Sequence, residues 1–149
     1  MPVGTRIPFE TMMRAAAVDL LTDFRQEFDI KLQVYPARPR TILPPCAFVD
    51  KLRERIAFDG LRQRTVQVDI VIVWGVFDSA EAADQRDAFV DNFVDWTSDR
   101  YHAAGGSTVI EPRTIEDDPT FVAEWLPPER QEVWFASTFT LEGFQGAGY

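Results

Sequence analysis

The densest set of side chains able to do chemistry in this sequence is a run of aspartates. Asp84, Asp87, Asp91, Asp95 and Asp99 recur at helical spacing, and Asp87, Asp91 and Asp95 stand four residues apart. On a helix their carboxylates are neighbours on one outer face, and each like-charged pair costs about 0.2–0.5 kcal/mol. Oxygen clusters suit hard divalent cations. The spacing of a calcium loop is missing, however, and a straight helical stripe does not converge on one ion. A solvated anionic face is therefore favoured over a metal site.

The other candidates stand alone. His102 is the single histidine, and no sequence signal marks a second group to position it for a triad or a metal. A cation near a helix C-terminus is its ordinary explanation. Cys46 is the single cysteine, which excludes an internal disulfide and a thiolate cage, and its setting in PPCAFV reads as a small buried core residue. The acidic pairs Asp117 with Asp118 and Glu129 with Glu132 are ordinary in an acidic chain. No GxSxG, phosphate-binding loop or GxGxxG is present. The expectation is a protein with no catalytic residues, cofactor or metal site, and not an enzyme.

Three arginines are candidates for contacts instead. Arg86 falls on the apolar side of its helix beside Phe89 and Phe93, where its stem can run along the core. Its guanidinium is then expected to meet a carboxylate, an aromatic face or a neighbouring subunit. Arg62 and Arg64 make the turn between two strands basic, suited to an acidic neighbour.

Acidic residues outnumber basic ones 24 to 15, a net charge of −9, which repels phosphate backbones and anionic membranes. The chain has 149 residues, 46% of them apolar, enough for one domain with a real core. No apolar run approaches the length of a membrane span. MPVGTRIPFE lacks a basic segment followed by an apolar run, so secretion is not expected.

Periodicity predicts the elements that position these residues. Over 8–28, Met13, Ala16, Ala17, Leu20, Leu21, Phe24 and Phe28 share one side of a helix and Arg14, Thr22, Arg25 and Gln26 the other. Pro36, Pro39, Pro44 and Pro45 then forbid a continuous helix or central strand, leaving two short edge strands at 31–34 and 47–52. Residues 53–58 alternate charged and apolar, Asp59-Gly60 supplies a turn, and 65–74 is the clearest strand. Val66, Val68, Ile70, Ile72 and Trp74 share one face of it. The other face passes from Gln67 and Asp69 to Val71 and Val73, which predicts a strand exposed at its start and covered on both sides at its finish.

Asp78 with Glu81 predicts a capping box opening a second helix over 79–101, stopped before Gly105-Gly106. Its apolar side holds Ala82, Phe89, Val90, Phe93, Val94, Trp96 and Tyr101. Strand follows at 107–115, an acidic turn at 116–119, an extended piece at 121–126, a turn at 127–129 and a strand at 131–141. The tail 143–149, with three glycines, is expected to be flexible. Together these predict a single α+β domain spanning 1–149, a mostly antiparallel or mixed β-sheet packed by two main amphipathic helices.

The order of elements carries a resemblance. A proline-broken segment ends in PPCAFVDKL, followed by the hairpin RERIAFDGLRQRTVQVDIVIVWG, the helix FDSAEAADQRDAFVDNFVDW and the closing strand EVWFASTFTLEGF. Over about residues 9–144 this resembles the tail terminator proteins of long-tailed bacteriophages. The resemblance implies a subunit that assembles into a ring, typically a hexamer, in the tail or neck of a virion put together in the bacterial cytoplasm. Such a ring caps the tail tube protein at its head-proximal end, stops polymerisation and presents a surface to the head-completion or neck protein. It implies no catalytic residue and no cofactor. DNA would be a passing cargo, and an anionic face built from the aspartates would let it slide. Two other readings remain: another head–tail joining protein, or a small-molecule-binding or hydrolytic α+β domain with a pocket built from Trp74, Phe77, Trp96, Trp125 and Trp134.

Overall fold

The computed structural model describes residues 9–58, 63–100 and 108–145. Helix α1 spans Phe9–Glu27 and buries Phe9, Met13, Ala17, Leu20, Leu21 and Phe24, the apolar stripe its periodicity predicts. It ends by wrapping its backbone back on itself. Phe28 N donates to Phe24 O at 3.1 Å and Ile30 N to Arg25 O at 3.0 Å. Asp29 takes the left-handed conformation this requires, with φ of 50°. Aspartate tolerates that conformation better than most residues, so it stands where glycine is commonest.

Five strands form one mixed sheet in the order β1-β2-β3-β5-β4. They are β1 (Gln33–Tyr35), β2 (Cys46–Ala57), β3 (Gln63–Val76), β4 (Thr108–Val122) and β5 (Val133–Gln145). Only β1 and β2 run parallel. The fold is therefore α+β, as the alternation of elements predicts.

Several boundaries differ from expectation, for one reason. Long neighbouring strands recruit their flanks by pairing, which local composition does not reveal. The segment 47–52 is not a short edge strand, because β2 continues to Ala57 and lies between β1 and β3 over Cys46–Phe48. The acidic segment 116–119 is not a turn but part of β4, which crosses it with irregular pairing between Asp118 and Phe121. A second irregularity follows Pro112. Prolines are tolerated here because β4 is an edge strand and its bulges absorb the missing donors. Gly143, Phe144 and Gln145 are not the start of a tail: they pair with Val66, Thr65 and Arg64. Residues 146–149 of the expected tail lie outside the described residues, as do Asp59 and Gly60.

Helix α2 spans Ala80–Arg100. Its cap is Ser79 rather than Asp78: the Ser79 hydroxyl accepts the Ala82 N–H at 3.2 Å. With Ser79 capping, Glu81 falls at the second helical position instead of the third, and the reciprocal bond of a capping box has no donor of the right spacing. Tyr101, His102, Gly105 and Gly106 lie outside the described residues.

Both helices pack on the same sheet face. Phe24 is the keystone of this layer, with ring centroids 4.7 Å from Phe89, 5.0 Å from Phe93 and 5.3 Å from Trp96. Burying a phenylalanine of this kind stabilises by about 1.5–3 kcal/mol. A smaller cluster covers the opposite face at one end only: Ile42, Phe48, Val71, Val73, Leu126 and Trp134. This is the change of character that β3 predicts. Gln67 and Asp69 remain partly exposed while Val71 and Val73 are buried behind them.

Candidate functional site

Arg86 faces the sheet because β4 brings a carboxylate to meet it. Its Nε donates to Asp117 Oδ1 at 3.0 Å and its Nη1 to Asp87 Oδ1 at 3.0 Å. Burial works against its charge, but the hydrogen bonds to Asp117 and Asp87 outweigh that and hold its pKa above the ordinary value. Within the chain, the partners it takes are carboxylates rather than an aromatic face.

Asp117 continues inward. It also accepts from Ser137 Oγ at 2.7 Å, and Ser137 in turn accepts from Trp74 Nε1 at 2.9 Å. One chain of polar contacts thus links α2, β4, β5 and β3 through a fully buried serine. The arrangement satisfies the indole and holds the layers in register, with the serine hydroxyl fully buried.

Of the aspartates of α2, Asp87 touches this network through Arg86. Asp84, Asp91 and Asp95 are exposed and make no ion pair with a described residue, while Asp87 keeps 67% of its side chain exposed beside Arg86. Asp99 lies in α2 with its side chain outside the described set. The result is an anionic ridge along the helix. Among the described residues no group of three or more His, Cys, Asp or Glu side chains is placed to hold a metal ion.

Arg64 is not in a turn. It belongs to β3, and its Nε donates to Glu54 Oε1 at 2.7 Å while its guanidinium lies 5.6 Å from the Phe9 ring centroid. Cross-strand pairing (Ile56 opposite Arg64) sets this contact, so the charge is answered within the chain. Arg62 lies outside the described residues.

The aromatics do not converge on one pocket. Trp74 and Trp96 belong to the helix-covered core, Trp125 and Trp134 lie with the opposite cluster, and Phe77 is 55% exposed. An apolar cleft of about 360 Å³ opens elsewhere, between the end of α1, the start of β2 and the first half of α2. Phe28, Leu32, Pro45, Trp74, Ala88 and Phe89 contribute to its walls.

No protein-family model and no curated protein matches the chain. What the molecule does must be read from these surfaces.

Cys46 is fully buried, and burial pushes its thiol up to about 11, partly offset by a backbone hydrogen bond from Leu43. It is a core residue, as its sequence context suggests. Two surface features had no marker in the sequence. The cleft forms from segments far apart in the chain. At the other end of the sheet, Ile56 and Phe58 stand 48% and 75% exposed. Their alternation with charges reads equally well as a strand with one covered face; what it does not reveal is that the helices stop short of them.

Proposed function

We propose that this chain is a structural subunit of a long-tailed phage particle, forming a ring that caps the head-proximal end of the tail tube and offers the surface to which the head joins. The observation that carries this reading is the anionic ridge of α2. Asp87, Asp91 and Asp95 repel one another at four-residue spacing, and Asp91 and Asp95 have no ion-pair partner among the described residues. A helix accepts that cost without return unless the charge itself is useful. In a ring that DNA must traverse, a negative wall lowers the friction a basic wall would create by gripping phosphates. The net charge of −9 and the resemblance in element order support the same reading.

The test is assembly with a tail tube protein. Tubes polymerised with this protein present should stop at a defined length and show a ring at one end in negative-stain images. Tubes of unchanged length without a terminal ring would remove the proposal. Binding to DNA-filled heads without any effect on tubes would assign the ring to the neck instead.

A further inference from the structure

The two borders of the sheet carry opposite charge on one face. Lys51 stands opposite Asp69, Asp69 opposite Thr140 and Thr140 opposite Thr114, so these four side chains share the face turned away from the helices. Alternation puts Arg53 and Arg55 on that face of β2, and Glu116 and Asp118 on that face of β4. A polar trough across the sheet agrees: Arg53 and Asp69 line it from one side, Glu116 and Asp118 from the other.

These border charges are largely unanswered within the chain. Lys51, Arg53 and Arg55 are exposed, and only Arg53 makes an ion pair with a described residue. Its partner is Asp69, and it still keeps 60% of its side chain exposed. Glu116 is exposed and makes no ion pair with a described residue, while Asp118 is held only by Thr120, whose N–H it accepts at 3.2 Å. Closer to the middle of the sheet the charges are settled, since Arg113 pairs with both Glu111 and Glu142. Three cations thus gather at one border of a chain whose net charge is −9, and two anions at the other.

Strand direction suits a contact between these borders. Three antiparallel steps separate β2 from β4, so the two run antiparallel to each other. A second copy set edge to edge in the same orientation therefore brings its β4 antiparallel beside β2, with both polar faces on one side. Two β2 borders set together would instead oppose cation to cation. Lys51 and Thr114 lie in one row; the cations continue from Lys51 in one direction along the strands and the anions from Thr114 in the other. Sliding the second copy by four residues, about 13 Å, sets Lys51 opposite Asp118 and Arg53 opposite Glu116. A stagger of this kind accompanies the closing of a sheet upon itself.

We propose that the basic border of β2 in one copy meets the acidic border of β4 in the next through these side chains, and that the repeated contact closes the ring. This rests on the assembly reading above and specifies its seam. The occupant is a second copy of this chain, because each border supplies the charge the other lacks and one rotation repeats the contact head to tail.

Charge reversal tests it between copies. Lys51→Glu with Arg53→Glu makes both borders acidic, and Glu116→Lys with Asp118→Lys makes both basic. The unaltered protein should show the mass of a closed oligomer at low ionic strength, falling as salt is raised. Each reversed variant alone should show the mass of one 17.0 kDa chain with its far-ultraviolet dichroism intact. Mixed in equal amounts the two should regain the oligomer, and so should a chain carrying all four substitutions. Damage within one copy would not be repaired by mixing. An unaltered protein that stays monomeric at every concentration and salt, reversed variants that keep the oligomer, or a mixture that stays monomeric would each overturn the inference. Lys51→Glu with Arg55→Glu, and Glu116→Lys alone, serve if the first variants unfold, since they spare the Arg53–Asp69 pair and the Asp118–Thr120 bond. These readouts need no tail tube. Masses as expected with unchanged tube length remove only the functional reading; limited tube length that survives both reversals removes only this seam.

Discussion

Trp74 and Asp117 are held by the same hydroxyl: Ser137 accepts from the indole at 2.9 Å and donates to the carboxylate at 2.7 Å. The serine is completely buried and Trp74 nearly so, so the indole cannot turn to water if the hydroxyl is lost, whereas Asp117 stays exposed beside Arg86. Ser137→Ala should therefore destabilise the fold by about 1–3 kcal/mol, the cost of leaving the buried indole N–H unpaired. A lower urea midpoint with an unchanged slope is the expected result. An unchanged midpoint would show that the relay does not contribute.

Gly143 is placed where only a glycine fits. A Cβ there would collide with Met13 Sδ and come within 3.3 Å of Phe9 Cζ. Met13 is itself fully buried, so its flexible end has nowhere easy to go. Gly143→Ala should cost about 1–3 kcal/mol through overpacking. The penalty should shrink in a Met13→Ala background, and a strictly additive double-mutant cycle would argue against direct contact.

Cys46 gives a pH dependence with a definite sign. Its folded pKa is raised from 9.0 to about 11, so the folded state holds the thiol proton longer than the unfolded chain. The stabilisation is fully present below about pH 9 and is lost as pH rises towards about 11. Native protein at neutral pH should resist iodoacetamide, and denatured protein should react. Cys46→Ala should lose stability less steeply than wild type across that alkaline window. Rapid alkylation of the native protein would contradict the burial.

Replacing Asp91 by lysine removes repulsion with both Asp87 and Asp95 and substitutes attraction. Asp91→Lys should raise stability by about 0.5–1 kcal/mol in thermal or urea unfolding. In tube assembly the same substitution should keep the cap but slow DNA passage in particles, if the ridge lines the passage. A variant both more stable and fully active would separate the ridge from the proposed function.

Much of this fold is legible from periodicity. The stripe Met13, Ala17, Leu20, Leu21, Phe24 predicts α1, and the change along β3 from Gln67 and Asp69 to Val71 and Val73 predicts a second, partial layer. Pairing partners are not legible in the same way. Asp117 reads as a turn residue because its neighbours are Glu116, Asp118 and Pro119; only the register with β5 makes it strand and brings it to Arg86. Arg64 reads as a loop cation until Glu54 across the ladder answers it. The aspartate ridge was visible in the spacing of the residues. The cleft was not, because Phe28, Pro45 and Ala88 meet only after the sheet and both helices have packed.

The two edges of the sheet are unequal. β1 covers β2 only over Cys46–Phe48, so the rest of β2 has no described strand beyond it, whereas β4 carries Pro112 and Pro119 at its irregularities. An incoming strand finds a continuous ladder at one border and a broken one at the other. Sheet extension can therefore proceed past β2 but finds no template past β4, and two copies joined through their β2 borders would leave only broken borders outside. Growth by that route ends at a pair. The molecule is in this way guarded against fibre formation, and larger assemblies must be built from side chains rather than from shared backbone.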